Sequence, residues 1–503
     1  MGRSFLAIVA LAVMTTVRIP DASAAPREGV AVVVKPVSAA IFRSPEAAHG
    51  LLVVGGGATV SRRGALASLV RGEMGLSIVR GGVPSGEPLI SLADRPAQTT
   101  FYVALPPPGR HHNVRRYPIA VAGPGYRGIL TDSSTRLTGL ISIADVARSA
   151  QALERGKTPA IRAKLASDPL GQLARFDRRL AQAHDSRLGG MLVLVGLMLG
   201  FSLASLFTRV RGLARATLLV PSTCIAASVG LSAAGVATPW QATLGVGVAG
   251  GLGALAGGIL LPPRLPLALG LTALYTFLFI VMWTHPEWNA LASIGPHPDG
   301  GGRFYGITNQ VETLLLPPAL VLGALAGPLL PVVAIAVSGG VAASRVGADG
   351  GGLVVYLAGF LVLWLRLRHL PARRAALATA AAAGAALLLV GIDAATGGSS
   401  HVTKAVGGGP GTLFGDLGHR LHVSAAGVAH TWNSALLFSL GVVGLAVLAC
   451  LRPRRPLLDA YLVALVVSLL VNDTPTDVMG WGGLAAVGLW LFARSEETAG
   501  RLK

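Results

Sequence analysis

The chain has 503 residues, of which 52% are hydrophobic and 13% charged, and its formal net charge is +19. Soluble domains carry about 25% charged residues, so a wholly soluble chain is excluded and much of the surface is predicted to face lipid. The basic excess favours an anionic partner. We expect a membrane surface or envelope polymer rather than nucleic acid, because much of this charge is predicted to lie outside the membrane.

The N-terminus resembles an export signal. Arg3 precedes an apolar run from Phe5 to Val17, and Ala22-Ser23-Ala24 follows as a small-residue cleavage site. We therefore predict a signal peptide over 1–24. The basic segment 25–188 is predicted to form an extracytoplasmic α/β domain.

The secondary structure of this segment is predicted from its residue pattern. Short β-branched runs separated by Gly and Pro predict strands at Val30–Val34, Leu51–Val54, Thr99–Leu105 and Tyr117–Ala122. Helices are predicted at Ile143–Arg155 and Leu170–His184. The segment carries twice as many Lys and Arg as Asp and Glu.

Eleven apolar runs follow and predict a membrane all-α bundle of about 10–12 transmembrane helices over 189–493. They lie at 189–207, 216–236, 242–261, 267–284, 311–327, 328–344, 353–366, 375–394, 434–451, 457–472 and 478–493. Arginines concentrate at 208–215, 262–266, 367–374 and 452–456 and in a tail over 494–503. By the positive-inside rule these segments are cytoplasmic, and the protein is predicted to be a multi-pass plasma-membrane protein with its N-terminal domain outside.

Polar residues gather on the opposite side, at or near the predicted outer ends of helices. Ionisable groups at membrane depth are costly and are typical of a bundle interior or a wet cavity. We therefore predict one substrate-binding site that opens outward, with no catalytic residue assigned and no metal. Its predicted residues are Arg303, Tyr305, Asn309, Glu312, Asp349, Asp393, His401, Lys404 and Asp473.

Simpler structural roles are also compatible with several of these residues. Arg303 and Glu312 are suited to an ion pair that fixes the loop on the bundle. Asp349 is suited to capping the helix that begins near Leu353. Asn472 and Asp473, just before Pro475, are suited to a turn. The histidines at 401, 419, 422 and 430 are interpreted as surface residues rather than metal ligands, as is the pair His111-His112, which is placed in a loop.

Part of the exported segment resembles an enzyme superfamily. The run from Tyr117 to Ala147, with GLISIADVA at 139–147, is similar to the C-terminal part of alkaline-phosphatase-superfamily domains. That resemblance implies two divalent metals held by several Asp and His residues around a Ser or Thr nucleophile. The chain departs from this pattern, because no Asp lies near Val30–Val34 and no Asp-His pair follows. A degenerate domain without catalytic activity is the expectation.

The membrane half resembles a family of bacterial, actinobacterial-type multi-pass membrane proteins. The resemblance is carried by GGRFYGITNQ at 301–310, GADGGG at 347–352, SSHVTKAV at 399–406 and VNDTPTD at 471–477. It implies the multi-pass bundle and an alkaline-phosphatase-like exported segment, and it implies no activity.

Three functions are compatible with this pattern. The first is an envelope protein that binds, presents or moves an anionic or lipid-linked substrate at the outer leaflet. The second is a membrane glycosyl or phosphoryl transferase that uses a polyprenyl-phosphate donor, and the third is a secondary transporter with helices broken at Pro317-Pro318 and Pro475. No cofactor is predicted. The predicted partners are the lipid bilayer and an anionic lipid or cell-wall polymer, and the oligomeric state and enzymatic character stay open.

Overall fold

The computed structural model describes residues 29–74, 83–84, 86–208, 210–236, 238–262, 265–300, 303–395, 425, 428–429, 432–472 and 474–497. The predicted signal at 1–24 and most of the predicted tail lie outside these ranges. The described chain forms an N-terminal α/β region followed by a helical bundle. This agrees with the predicted combination of an α/β segment and an all-α segment.

Seven strands of the α/β region form one mixed sheet. The strands are β1 (Val30–Val34), β2 (Ala47–Val53), β4 (Thr99–Val103), β6 (Tyr117–Ala122), β7 (Gly128–Asp132), β8 (Leu140–Ser142) and β9 (Ile161–Lys164). The order is β1-β4-β6-β2-β7-β9, with β8 also paired to β2. Because β2 is central, its residues are buried almost throughout. The predicted strands at β1 and β6 have the bounds observed, whereas β2 begins earlier than predicted.

Several short elements of this region were not predicted. The strands β7, β8 and β9 and helix α1 (Arg62–Arg71) are examples. A separate hairpin pairs β3 (Thr59–Ser61) with β5 (Arg110–His112). His111 and His112 therefore belong to a strand and not to the predicted loop. This strand forms by pairing with β3, a contact that the residues of the run themselves do not indicate.

Helix α2 (Ile143–Glu154) packs on the sheet, and helix α3 (Pro169–Thr208) leads into the bundle. At 40 residues, α3 is roughly 60 Å long, about twice the thickness of a bilayer's hydrocarbon core. It is continuous across the predicted domain boundary at 188/189. A single continuous helix thus joins the sheet to the bundle.

The bundle contains every predicted apolar run as helix. Its helices are α4 (Arg211–Ala233), α5 (Pro239–Gly245), α6 (Gly251–Leu260), α7 (Leu265–Thr284), α8 (Pro286–Ala290), α9 (Asn309–Ala326), α10 (Leu330–Ala342), α11 (Gly350–Arg368), α12 (Ala372–Ala395), α13 (Trp432–Cys450), α14 (Pro456–Val471) and α15 (Pro475–Glu497). A π-helical turn over Val246–Gly250 joins α5 to α6. Within the described residues, seven helical segments are long and apolar enough to cross a membrane, and two shorter apolar helices accompany them.

The continuous apolar segment Asn309–Ala342 is a hairpin. Gly327 ends α9 with a positive φ of 58°, and the chain turns into α10. The Ile307 amide, just before α9, donates to the Gly347 carbonyl, just after α10, at 2.7 Å. The two helices therefore run antiparallel, as the two separate apolar runs predict. We call the end of the bundle that contacts the α/β region the proximal end, and the opposite end the distal end.

Helix α9 is the centre of the bundle, with every residue from Val311 to Gly323 buried. It is not broken at Pro317-Pro318, contrary to prediction. Proline 317 removes the donor for the Thr313 carbonyl, and the Tyr461 hydroxyl donates to that carbonyl instead, at 3.2 Å. Tyr356 and Tyr275 donate to two further carbonyls of α9, those of Glu312 and Leu315. A side chain of a neighbouring helix thus replaces a bond that Pro317 removes.

Candidate functional site

The segment 285–308 forms the floor on which the proximal site is built. The Asn289 side chain accepts from the Gly306 amide at 3.0 Å and holds the loop against α8. Gly306 has a φ of 87°, and a Cβ there would lie 2.2 Å from the Gly347 carbonyl oxygen. Only glycine fits this position, since any side chain would meet both backbone strain and a backbone atom. The loop is therefore fixed to the turn between α10 and α11.

Two buried carboxyl groups meet above this floor. Glu312 lies in the first turn of α9 and is fully buried, and Asp349 is 2% exposed. Asp349 caps α11 as predicted, because its Oδ1 accepts from the Gly352 amide at 3.2 Å. The carboxyl group of Asp349 also lies close enough to Glu312 for two negative charges there to repel each other. Both groups sit at helix N-termini, where the helix dipole favours a negative charge.

Arg303 and Asn472 complete what we call the proximal cluster: Arg303, Glu312, Asp349 and Asn472. The Arg303 guanidinium lies 3.6 Å from Asp349 Oδ2 and donates to the Ile307 carbonyl. Asn472 Nδ2 donates to Glu312 Oε2 at 2.9 Å and to Ser468 at 2.8 Å. Arg303 therefore pairs with Asp349 and not, as predicted, with Glu312. Asp349, at the cap of α11, lies closer to the guanidinium group.

The cluster is incompletely satisfied. Glu312 Oε1 and Asp349 Oδ2 are buried and accept no hydrogen bond. The Arg303–Asp349 ion pair, at 3.6 Å, is too long to count as a hydrogen bond. A proton held between the two carboxyl groups, or a bound cation, would satisfy both oxygens. Of the four side chains, that of Arg303 reaches solvent, 28% exposed, and the other three are buried. The predicted outward opening also involves residues outside the described chain and stays a prediction.

A second set of residues, which we call the arginine seam, lies beside the cluster: Arg136, Trp283, Tyr305 and Arg345. The Arg136 guanidinium donates to the Trp283 carbonyl at 2.8 Å and to the Arg345 carbonyl. It also lies 4.8 Å from the centre of the Tyr305 ring, a cation–π distance. The Tyr305 hydroxyl donates to the Ser344 carbonyl at 2.6 Å. The seam therefore joins the α/β region to two loops of the bundle.

Backbone strain coincides with these contacts. Within the described chain, three non-glycine residues have positive φ, and two of them adjoin the site: Arg136 at 55° and Ala348 at 54°. Such conformations are unfavourable for residues with a side chain and persist where the surroundings impose them. Arg136 has this backbone conformation at the point where its side chain reaches the bundle. Ala348 has it directly before Asp349, which caps α11.

A third contact, which we call the α3 joint, fastens α3 to the same loop. Arg187 forms two bonds to the Asp299 carboxylate, at 2.5 and 3.1 Å, and His184 contacts it at 2.7 Å. Burial opposes ionisation of Asp299, but the Arg187 and His184 contacts outweigh it and lower the pKa. Burial, with repulsion from Arg187, lowers the pKa of the adjacent His297 to about 4. Asn113 adds a bond to the Gly300 carbonyl at 2.9 Å.

The predicted site residues are only partly brought together. Arg303, Glu312 and Asp349 share the cluster, and Tyr305 lies in the seam. Asn309 bonds to Thr474 at 2.9 Å, at the start of α15. Asp393 lies in the last turn of α12, where its side chain is not described, and His401, Lys404 and Asp473 lie outside the described residues.

The prediction missed Asn472 and Arg136 as members of the site. The block VNDTPTD indicated a polar break between two helices, but it did not indicate which other helix Asn472 contacts. Arg136 lies in the α/β region, where sequence alone gave no reason to pair it with the bundle. Both are assigned only by tertiary contacts.

In the α/β region, the segment from Tyr117 to Ala147 forms β6, β7, β8 and the first residues of α2. Asp132 is buried and accepts from the amides of Ser134 and Ser142, both at 2.9 Å. Ser134 also donates to Asp145. Burial, with repulsion from Asp145, raises the pKa of Asp132 to about 7. Within the described part of the chain, no three His, Cys, Asp or Glu side chains form a group suited to a metal.

The distal end contains ion pairs that the sequence had indicated only as anchoring arginines. Arg215 and Glu496 form a buried pair at 2.8 Å, and Arg455 and Glu497 pair at 2.9 Å. Asp459 pairs with Arg366 at 2.7 Å and with Arg454 at 3.2 Å. These arginines join helix ends to one another, so their role includes packing as well as orientation.

The fold defines a helical-bundle protein, with helices long and apolar enough to cross a membrane and an N-terminal α/β region fixed onto one end of the bundle. No protein-family model, curated protein or solved structure matches the chain. The functional argument therefore depends on the geometry above.

Proposed function

We propose that the chain is a plasma-membrane protein of the cell envelope that binds and presents an anionic or lipid-linked group at the outer leaflet. In this proposal the α/β region and the proximal end are extracytoplasmic. Arginines at the ends and loops of the distal helices, including Arg366, Arg368 and Arg454, support that orientation. Eleven membrane-crossing helices would then connect the two sides.

The observation that carries the proposal is the meeting of arginines from three chain segments at the proximal end. Arg136 comes from the α/β region, Arg303 from the loop before α9 and Arg345 from the loop before α11. Arg345 is exposed, and its carbonyl is bonded by Arg136. Guanidinium groups have five donors in a planar fork that matches phosphate and carboxylate oxygens.

The depth of the seam suits a lipid headgroup. Trp283 ends α7 beside the seam and is 50% exposed, and Trp240 and Trp432, also at proximal helix starts, are 65% and 76% exposed. Tryptophan side chains are enriched at the level of lipid headgroups. A phosphate at that level would lie within reach of Arg345 without entering the hydrocarbon layer.

The proposal is tested by lipid retention. The full-length protein is placed in nanodiscs of neutral lipid with a minor fraction of phosphatidylglycerol or polyprenyl phosphate, and the retained lipids are counted by native mass spectrometry. We expect Arg345→Gln to lower retention of anionic lipid several-fold and Arg110→Gln, an exposed arginine of the hairpin, to leave it unchanged. Equal retention by wild type and Arg345→Gln would contradict the proposal. Preference for the polyprenyl phosphate would identify the lipid-linked form.

The proximal cluster favours a second candidate, a proton- or cation-coupled transporter. Its carboxyl pair is buried at the end of the central helix and leaves two oxygens free. Glu312→Gln keeps an acceptor for Asn472 but removes the titratable group. If the protein is a transporter, this variant should abolish coupled flux in proteoliposomes while retaining anionic lipid. Loss of lipid retention together with flux would instead favour a structural role for Glu312.

A further inference from the structure

The hairpin of β3 and β5 carries an exposed group of arginines that neither the seam nor the cluster uses. Arg62 and Arg63 begin α1 directly after β3, and Arg110 begins β5. All three residues are exposed. We call Arg62, Arg63 and Arg110 the hairpin patch. It belongs to the α/β region and combines two segments that lie far apart in the sequence.

Strand pairing brings these arginines together. Arg110 pairs with Ser61 in the antiparallel register, so their Cα atoms lie about 5 Å apart and their side chains share one face. Arg62 follows Ser61, so its Cα atom lies within about 9 Å of that of Arg110. Arg62 Nη1 also donates to the Pro106 carbonyl at 3.1 Å, which holds this guanidinium beside the loop that leads into β5. The long side chains of the patch can therefore contact one ligand.

The hairpin patch lacks counter-charges. The two segments that form it, 47–72 and 95–131, contain three and five arginines respectively and no Asp or Glu. Among the described residues, none of the three patch arginines forms an ion pair. Arg62 and Arg63 also lie in the first turn of a helix, where the helix dipole disfavours positive charge. Charges placed against such local preferences are typical of a functional site.

The chemistry of the patch favours a polymer that carries phosphate groups. A guanidinium fork matches the oxygens of a phosphate. One ion pair on an exposed surface contributes little, because water and salt screen it, so a small anion would bind weakly. A polymer contacts several guanidinium groups at once and releases counterions as it binds. Single-stranded nucleic acid binds by stacking on aromatic rings, and neither 59–63 nor 110–112 contains Phe, Tyr or Trp.

The patch is separate from the contact between the α/β region and the bundle. Asn113, which bonds to the Gly300 carbonyl, follows Arg110 by three residues. An extended chain rises about 3.3 Å per residue, so Arg110 lies roughly 10 Å from that contact. We infer that the hairpin patch binds a linear phosphate-bearing polymer of the cell envelope, outside the lipid layer. Its placement in the envelope rests on the proposed orientation, whereas binding at the patch does not involve the arginine seam.

The test uses labelled inorganic polyphosphate as the probe and fluorescence anisotropy as the measurement, with the full-length protein in nanodiscs of neutral lipid and empty nanodiscs as the blank. We expect Arg63→Gln and Arg110→Gln each to weaken binding several-fold. Each should also reduce the slope of log affinity against log salt by about one. Arg127→Gln, at an exposed arginine in the turn after β6, is the matched control and should bind like wild type. Wild-type affinity in the Arg63→Gln, Arg110→Gln double variant, or an equal loss in Arg127→Gln, would overturn the inference.

Further measurements separate this site from the proposed lipid site and from a nucleic-acid site. Arg345→Gln should bind polyphosphate like wild type, and the double variant should retain anionic lipid in the nanodisc assay. Loss of lipid retention in the double variant would place the patch in the headgroup layer and overturn the inference. Single-stranded DNA at equal phosphate concentration should bind more weakly than polyphosphate. The reverse order would identify a nucleic-acid site and would also overturn it.

Discussion

At the scale of single residues, the buried polar groups of this chain are satisfied by distant partners. The Tyr461 hydroxyl reaches a carbonyl that a proline exposes in another helix, and Asn472 reaches Glu312 across 160 positions of sequence. Each such bond is worth little net, but breaking one leaves a buried group unpaired at a larger cost. Single substitutions at these positions are therefore informative.

Removing the Tyr461 hydroxyl should destabilise the bundle. In Tyr461→Phe the Thr313 carbonyl loses its donor inside the protein, and we expect a loss of about 1–3 kcal/mol in the free energy of unfolding. Thermal denaturation in detergent would measure it as a lower melting temperature. Tyr102→Phe in the α/β region, where the ring is partly exposed, is the control and should change little. A melting temperature equal to wild type for Tyr461→Phe would contradict the assigned role of the hydroxyl.

Asp132 should make the stability of the α/β region depend on pH. Its folded pKa is raised to about 7, so the folded state binds a proton that the unfolded state releases near pH 4. This contribution is fully present below pH 4 and is lost as the pH rises through about 7. We expect this contribution to fall by up to roughly 1.4 kcal/mol per pH unit between about pH 4, where the unfolded carboxyl group ionises, and about pH 7, and to level off above that.

The control for this prediction is Asp145→Asn, which removes the neighbouring carboxylate but keeps an acceptor for Ser134. The pKa of Asp132 should fall, and the decline between about pH 4 and 7 should be smaller than in wild type. His297, whose pKa is lowered to about 4, contributes with the opposite sign below about pH 6.5, but it does so equally in both proteins, so the difference between them reports Asp132. A decline of the same size in Asp145→Asn would show that another group is responsible.

At the scale of elements, small residues determine how closely helices approach. Gly250, in the π-helical turn, and Ala254 and Gly258, in α6, are buried, lie four residues apart and face α4. A Cβ on Gly258 would lie 2.3 Å from the Gly212 carbonyl oxygen, whereas one on Gly253 would meet only ordinary contacts at 3.6 Å. Helix association in membranes depends on such stripes, because lipid supplies no hydrophobic drive between helices.

A matched pair of alanine substitutions tests this packing. Gly258→Ala should separate α4 from α6 and lower stability by about 1–3 kcal/mol through overpacking. Gly253→Ala, where the added Cβ would meet Thr223 of α4 only at an ordinary contact distance, should be neutral or slightly stabilising because alanine is the better helix former. Thermal stability in detergent distinguishes the two, and equal effects would contradict the close approach of α4 and α6.

At the scale of the whole molecule, the α/β region is fixed to the bundle at three places: the α3 joint, the arginine seam and the contact of Asn113 with Gly300. An apolar cluster that includes Leu137, Leu180 and Leu291 lies between them. The region is thus held against the loops that adjoin the proximal cluster. The α3 joint is the contact at which a substitution can weaken this attachment.

Arg187→Ala tests the α3 joint. It leaves the Asp299 carboxylate, 2% exposed, without its main counter-charge, and breaking a buried pair in this way costs about 3–5 kcal/mol. We expect faster limited proteolysis in 285–308 and a lower melting temperature. Arg178→Ala, exposed on the same helix, should match wild type. Because ionised Asp299 supplies the stabilisation, acid should reduce the difference between Arg187→Ala and wild type as the pH falls through its lowered pKa.

The proposed orientation is tested by labelling single cysteines in a Cys450→Ala background. Ser133→Cys in the α/β region should react with an impermeant maleimide on intact cells, and Arg368→Cys at the distal end should react only after permeabilisation. Both positions are exposed. The reverse pattern would invert the topology, and the assignment of the seam to the outer leaflet would then be wrong.

The sequence alone determined the parts of this protein that depend on local pattern. The eleven apolar runs, the strands Val30–Val34 and Tyr117–Ala122 and the cap at Asp349 are each set by residues near one another in the chain. The hydrophobic period, the β-branched runs and the cap residues each involve residues within one or two turns of one another. The sequence therefore indicates them without knowledge of the fold.

Only the tertiary structure decided which polar groups meet. Arg303 pairs with Asp349 rather than Glu312, Asn472 completes the cluster, Arg136 crosses from the sheet to the bundle, and the distal arginines find Glu496, Glu497 and Asp459. Pro317-Pro318 does not break α9, and the Tyr461 hydroxyl, from another helix, supplies the donor that Pro317 lacks. Each of these pairings joins elements from distant parts of the chain. Burial makes an unpaired polar group costly, but this cost favours a particular pairing only after the helices have packed together.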